Sequence, residues 1–258
     1  MANVLRVALA QVPLLWHDTP GNHAQFDALI DDAGDFDLLV LPEMFASGFS
    51  MSPAQCAQDM DGPSVTWMRE LAARRNAAIC GSLAIRDGEH FVNRFVFMYP
   101  DGAMSTYDKR HSFTLAGEHE VYTAGNERSV IEFRGWRLAP FVCYDLRFPV
   151  WCRHAGSCDL MLFVANWPQP RRTAWNTLLR ARAIENQCFV AGVNRVGTDH
   201  NEREYFGDSA VVDALGDDVV NANDRHVLEF ATLDLGALHA LRERLPFYRD
   251  ADAFDVKR

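Results

Sequence analysis

RLAPFVCYDLRFP, residues 137–149, runs from an apolar stretch straight into reactive and charged side chains. Leu138 to Val142 carry no charge and no polar alternation, the mark of a strand covered on both faces. Cys143, Tyr144, Asp145 and Arg147 follow at once. A cysteine that merely fills space has quieter neighbours, so a sulfur at this strand end is a candidate for chemistry.

Runs of the same kind recur along the chain: LRVALA (5–10), DLLVLPE (37–43), AAICGSLAI (77–85), FVNRFVFMY (91–99), SVIEF (129–133), LMLFVA (160–165), FVAGVN (189–194), SAVVDA (209–214) and VLEFATL (227–233). Helical patterns lie between them. Phe26, Leu29, Ile30 and Ala33 share a face behind a turn at Pro20, Gly21 and Asn22. Ser64 is placed to cap a helix after Pro63, with Val65, Met68, Leu71 and Ala72 inward. A third helix runs from about Thr173 to Gln187. Asp234 caps a fourth that stops before Pro246. Tyr99 to Gly102 and Ala214 to Asp217 read as hairpin turns. Strands mixed with crossover helices predict an α/β sandwich, sheets inside and helices outside. No linker or repeat divides residues 1–258, so one domain is expected.

Composition narrows the function. With 48% hydrophobic and 23% charged residues the chain is that of a well-cored globular protein. A net charge of −10 argues against a nucleic-acid partner, which wants a basic face. No run approaches the ~20 apolar residues of a membrane span, and the apolar stretch before and after Arg6 is too short for an export signal. The six cysteines (56, 80, 143, 152, 158 and 188) show no paired or zinc-like spacing. A cytoplasmic protein with reduced thiols is expected, with Cys80 and Cys188 as small core hydrophobes.

Three strand-end or loop residues form a chemically complete set. LLVLPE delivers Glu43, LAPFVC delivers Cys143, and YDKRHSF places Lys109 in the loop after the 91–99 strand. A thiol is only a few per cent thiolate at neutral pH. A carboxylate can take its proton during attack and return it to a leaving group. A lysine would favour the thiolate and stabilise the oxyanion on the attacked carbonyl, with the Tyr144 N–H as second donor.

LPEMF around Glu43, YDKRHSF around Lys109 and CYDLRFP around Cys143 resemble the three signature segments of the nitrilase superfamily, carbon–nitrogen hydrolases with a Glu-Lys-Cys triad. The resemblance extends from ALAQ (8–11) through VANWP (164–168) and RARAIENQ (180–187) to GDS (207–209). It implies a four-layer α-β-β-α sandwich, a homodimer, and a thioester on Cys143 formed without metal or organic cofactor. In AGEHEVY, Glu118 best matches a second glutamate of the family, in a role orienting the lysine. The finer pattern is similar to the ω-amidase branch, which deamidates 2-oxo acids such as 2-oxoglutaramate and 2-oxosuccinamate.

Such a substrate carries a carboxylate remote from the scissile amide, and an arginine fork suits it. Arg147, Arg171 and Arg172 are the candidates, although a structural bridge from Arg147 to Asp145 or another carboxylate is the stronger reading, and Arg171 and Arg172 could equally be a solvated helix start. Phe45, Tyr144 and Trp167 are candidate pocket walls. Arg182 and Glu185, three apart on a helix, read as a structural ion pair, and His111 as a structural hydrogen bonder. The alternatives are an N-carbamoyl amino acid or deaminated-glutathione-type amidase of the same superfamily, or a non-catalytic binding subunit.

Overall fold

The computed structural model describes residues 4–154 and 156–256. Its strands are β1 (Val4–Gln11), β2 (Leu38–Val40), β3 (Ala78–Asp87), β4 (His90–Met98), β5 (Met104–Asp108), β6 (Ile131–Phe133) and β7 (Trp136–Val142). There follow β8 (Leu160–Ala165), β9 (Phe189–Asn194), β10 (Val196–Thr198), β11 (Glu204–Phe206), β12 (Ala210–Val212), β13 (Asp218–Asn221) and β14 (Val227–Asp234). They form two six-stranded sheets, ordered β14-β1-β2-β3-β4-β5 and β13-β12-β9-β8-β7-β6, and a separate two-stranded pair β10-β11.

Each large sheet has a parallel centre and antiparallel flanks, because crossover helices link its middle strands while hairpins extend its edges. Side-chain alternation shows how the layers stack. From β1, Leu5, Val7 and Leu9 enter the core shared with Leu138, Phe141 and Leu160 of the second sheet. Ala8 and Ala10 point the other way, into a core with Phe26, Ile30, Met68 and Leu71 of the helices Thr19–Asp31 and Pro63–Arg75. One strand thus serves two interfaces, which is why it reads as an unbroken apolar run.

On the far side, helix Arg172–Asn186 lies so close to β9 that a Cβ at Gly192 would come within 2.7 Å of Leu179 and 2.9 Å of Trp175. The arrangement is the expected α-β-β-α sandwich. Among the described residues no helix is long and apolar enough to cross a membrane.

Local expectations meet mixed outcomes. Asp234 caps helix Leu235–Arg244 by accepting from the Ala237 N–H at 3.1 Å. Pro20, Gly21 and Asn22 form the first helical turn itself rather than a preceding turn, since proline is well suited to the start of a helix. Ser64 likewise lies inside its helix, where Gly62 is the cap. Both hairpin turns are present, linking β4 to β5 and β12 to β13.

Candidate active site

The reactive groups gather at strand ends on one side of the two facing sheets. Glu43 follows β2, Lys109 follows β5, Cys143 follows β7 and Asn166 follows β8. Two of these exits bend sharply: Met44, next to Glu43, has φ +45°, and Cys143 itself has φ +45°. Left-handed backbone is strained for any residue with a Cβ. Here it turns the chain abruptly at the strand end, setting the sulfur between sheet and loop.

Asp145 holds that bend. Its buried carboxylate accepts from the Val142 N–H (3.0 Å), the Tyr107 hydroxyl (2.7 Å), and the His111 N–H (3.0 Å) and Nδ1 (2.8 Å). The His111 ring stacks on Phe148 at 3.7 Å. His111 therefore has the structural role expected of it, anchoring the loop after Cys143. Arg147 makes no bridge to Asp145, whose oxygens are taken by these four donors. Arg182 does pair with Glu185, at 3.0 Å.

Lys109 is 2% exposed, and Nζ lies 2.8 Å from Glu43 Oε1 and 2.9 Å from both oxygens of Glu118. Glu118 also accepts from the Phe113 N–H at 2.5 Å. The second oxygen of Glu43 accepts from the Asn166 N–H at 2.8 Å, while the Asn166 side chain donates to the Glu43 carbonyl at 2.6 Å. The Asn93 amide reaches Glu43 at 2.8 Å and Glu118 at 3.2 Å.

The electrostatics follow from burying two carboxylates with one ammonium. Burial alone pulls the pKa of Lys109 down, but Glu118 and then Glu43 outweigh it and hold it above the ordinary lysine value. Burial pushes Glu118 up, against the opposing pull of Lys109. Burial likewise pushes the Cys143 thiol well up, and Glu43 adds to the rise more than Lys109 subtracts. Lys109 does favour the thiolate, as expected, but burial and Glu43 outweigh it. The sulfur rests as a thiol and needs a base at the moment of attack.

Cys143 opens into a cavity at the strand ends. Tyr144, Arg147, Trp167 and Arg171 line it, as do Phe49, Phe113, Asn166, Pro168, Arg203 and Tyr205. The Arg147 guanidinium lies over the Trp167 ring (4.8 Å to its centroid) and that of Arg171 over Phe113 (5.0 Å). Among the described residues no carboxylate pairs with the guanidinium of Arg147, Arg171 or Arg203, and all three line the cavity.

Two candidates fall elsewhere. Phe45 is fully buried on the outer side of the first sheet, against Phe26 (5.9 Å) and Trp67 (5.8 Å), because the bend at Met44 turns it away. Phe49 walls the cavity instead. Arg172 is bound to Asp208 at 2.5 and 2.7 Å and does not line the cavity that Arg171 lines. Asn93, Asn166, Arg203 and Tyr205 were missed by sequence reasoning. A lone amide inside the apolar run FVNRFVFMY was the one signal for Asn93. Arg203 and Tyr205 come from the β10–β11 hairpin, too short and polar to be read as strands. Among the described residues no three of His, Cys, Asp and Glu gather to hold a metal ion.

Residues 6–243 match the carbon–nitrogen hydrolase family model. The chain is 47% identical to omega-amidase YafV of Yersinia enterocolitica, covering 98% of both chains. It is 35% identical to the 2-oxoglutaramate amidase of Bacillus subtilis, over 83% of this chain and 84% of that one. The crystal structure of XC1258 from Xanthomonas campestris, a CN-hydrolase superfamily protein with an arsenic adduct in its active site, superposes with TM-score 0.96 at 49% identity. It covers 98% of this chain and 99% of that one. The chain belongs to the carbon–nitrogen hydrolase family, the nitrilase superfamily that its three segments resemble.

Proposed function

We propose that this hydrolase is an ω-amidase, cleaving the terminal amide of a 2-oxo acid such as 2-oxoglutaramate to the dicarboxylate and ammonia. The observation that carries the reading is one cavity joining a buried thiol, with its base and ammonium, to three guanidinium groups that pair with no carboxylate among the described residues. Names borne by relatives at 47% and 35% identity support the same substrate class.

In the proposed reaction the amide carbonyl enters beside Cys143. Glu43 takes the thiol proton as sulfur attacks, so charge appears on sulfur only as it is consumed in the new bond. Lys109 and the Tyr144 N–H stabilise the oxyanion; each such donor is typically worth about 10²–10³ in rate. Glu43 returns the proton to the departing nitrogen, ammonia leaves, and the acyl group remains on Cys143 as a thioester. Glu43 then takes a proton from water, whose attack releases the carboxylic acid and the thiol. At the other end the substrate carboxylate meets the arginine forks. Six unpaired thiols fit a reaction in the reducing cytoplasm.

The deciding experiment is ammonia release from 2-oxoglutaramate by the wild type and Cys143→Ala, beside glutamine, a simple aliphatic amide and an N-carbamoyl amino acid. Preferential turnover of the oxo-acid amide, lost in the variant, is the expected result. Preference for the carbamoyl compound would overturn the substrate assignment.

A further inference from the structure

Two carboxylates sharing one ammonium in a buried site should repel each other, and one should keep a proton. Glu43 and Glu118 both contact Lys109 Nζ within 2.9 Å. Glu43 is useful as a base only when ionised. Something beyond Lys109 has to offset the excess negative charge of this trio.

The Asn93 amide is built for this. Its Nδ2 has two hydrogens, and it reaches Oε1 of Glu43 at 2.8 Å and Oε1 of Glu118 at 3.2 Å. The side chain is buried, and its Oδ1 finds no donor among the described residues. Turned end for end, the amide would aim its oxygen at two carboxylates, so the observed orientation is the one their charges select. The backbone of Asn93 is tied to the same group, since its carbonyl accepts from the Lys109 N–H at 2.9 Å. One residue in mid-β4 thus touches all three charged members. It does not line the cavity, so it acts through them rather than on substrate.

We propose that Asn93 is a positioning residue of the hydrolytic site, a neutral clamp that sets Glu43 and Glu118 side by side and offsets their shared negative charge. This rests on the hydrolytic roles proposed above. The other groups facing the pair are Lys109 after β5, Cys143 after β7, and Tyr122, which follows the short helix carrying Glu118. Replacing the amide by a carboxyl group places a third acid among them, so a proton is retained to a higher pH. Replacing it by a methyl group only removes the donor, with a smaller effect in the same direction.

The test reads Cys143 without any assumed substrate. Alkylation of Cys143 by iodoacetamide, located by peptide mass spectrometry, is followed against pH for the wild type, Asn93→Asp and Asn93→Ala. Circular dichroism checks folding, and kcat and KM for 2-oxoglutaramate are measured in parallel. The acid limb of the alkylation profile is expected to move up by about one pH unit or more in Asn93→Asp and by less in Asn93→Ala. Loss of kcat should come with little change in KM. A folded Asn93→Asp protein whose acid limb stays at the wild-type position overturns the proposal. If that variant does not fold, an unmoved limb in folded Asn93→Ala does the same. A shifted limb with no turnover of 2-oxoglutaramate supports the clamp and removes the substrate assignment instead.

Discussion

Arg147 lays its guanidinium over the Trp167 ring at 4.8 Å from the centroid, and both residues line the cavity beside Cys143. A carboxylate held there makes charge-assisted hydrogen bonds worth about 1.5–3 kcal/mol, or roughly ten- to hundredfold in affinity. Arg147→Ala is therefore expected to raise KM for 2-oxoglutaramate by that factor with kcat little changed. Hydrolysis of an uncharged aliphatic amide should not respond. Steady-state kinetics on both substrates checks this.

The buried trio of Glu43, Lys109 and Glu118 is stable only as a set. Lys109→Met leaves two buried carboxylates without their cation, a loss of about 3–5 kcal/mol. Adding Glu118→Gln removes one of those charges and should restore part of that stability, although activity stays lost. Urea unfolding of the two single variants and the double variant measures the coupling.

Asp145 accepts four hydrogen bonds through two oxygens, and asparagine offers only one oxygen. In Asp145→Asn the amide nitrogen must face donors such as the Val142 N–H or the Tyr107 hydroxyl. A fall in stability of about 1–3 kcal/mol is expected. A fall in kcat should accompany it, because the bend at Cys143 is held by these bonds. Thermal melts and kcat test the two halves separately.

His154 contributes to behaviour in acid. Burial, reinforced by the nearby Arg128, lowers its pKa to about 3, far below the value of an exposed imidazole. Between about pH 3 and pH 6.5 the unfolded chain therefore binds a proton that the folded protein refuses, so this group's contribution to stability falls as pH falls. The loss reaches on the order of 4 kcal/mol at the acid end. His154→Gln should show a shallower decline of melting temperature from pH 7 to pH 4 than the wild type.

The sequence disclosed some of these features and concealed others for physical reasons. LMLFVA reads as a doubly covered strand, and all six residues of β8 are buried between a facing sheet and a helix. Asp234 announces a helix because capping is local. Which strands pair is not local: Gln11 is opposite Val227, an association no window of sequence can show. The same holds for the site. Glu43 and Lys109 stand 66 positions apart, and complementary chemistry suggested joining them with Cys143 without showing that the fold does so. Similarity to a family strengthened that grouping. Phe45 was misplaced because a left-handed residue at Met44 reverses a side chain's face, and ordinary residues give no warning of that conformation. Arg203 escaped notice because a loop arginine looks alike whether it faces water or a substrate.

The left-handed backbone at Cys143 sets activity against durability. Every residue but glycine pays about 1 kcal/mol or more for that conformation. Cys143→Gly is therefore expected to melt higher than Cys143→Ala, although both are inert. If it also outlasts the wild type on heating, the working enzyme gives up longevity at the very atom it reacts with. A library screened for heat resistance alone would then favour loss of the nucleophile, and only selection for turnover would retain it.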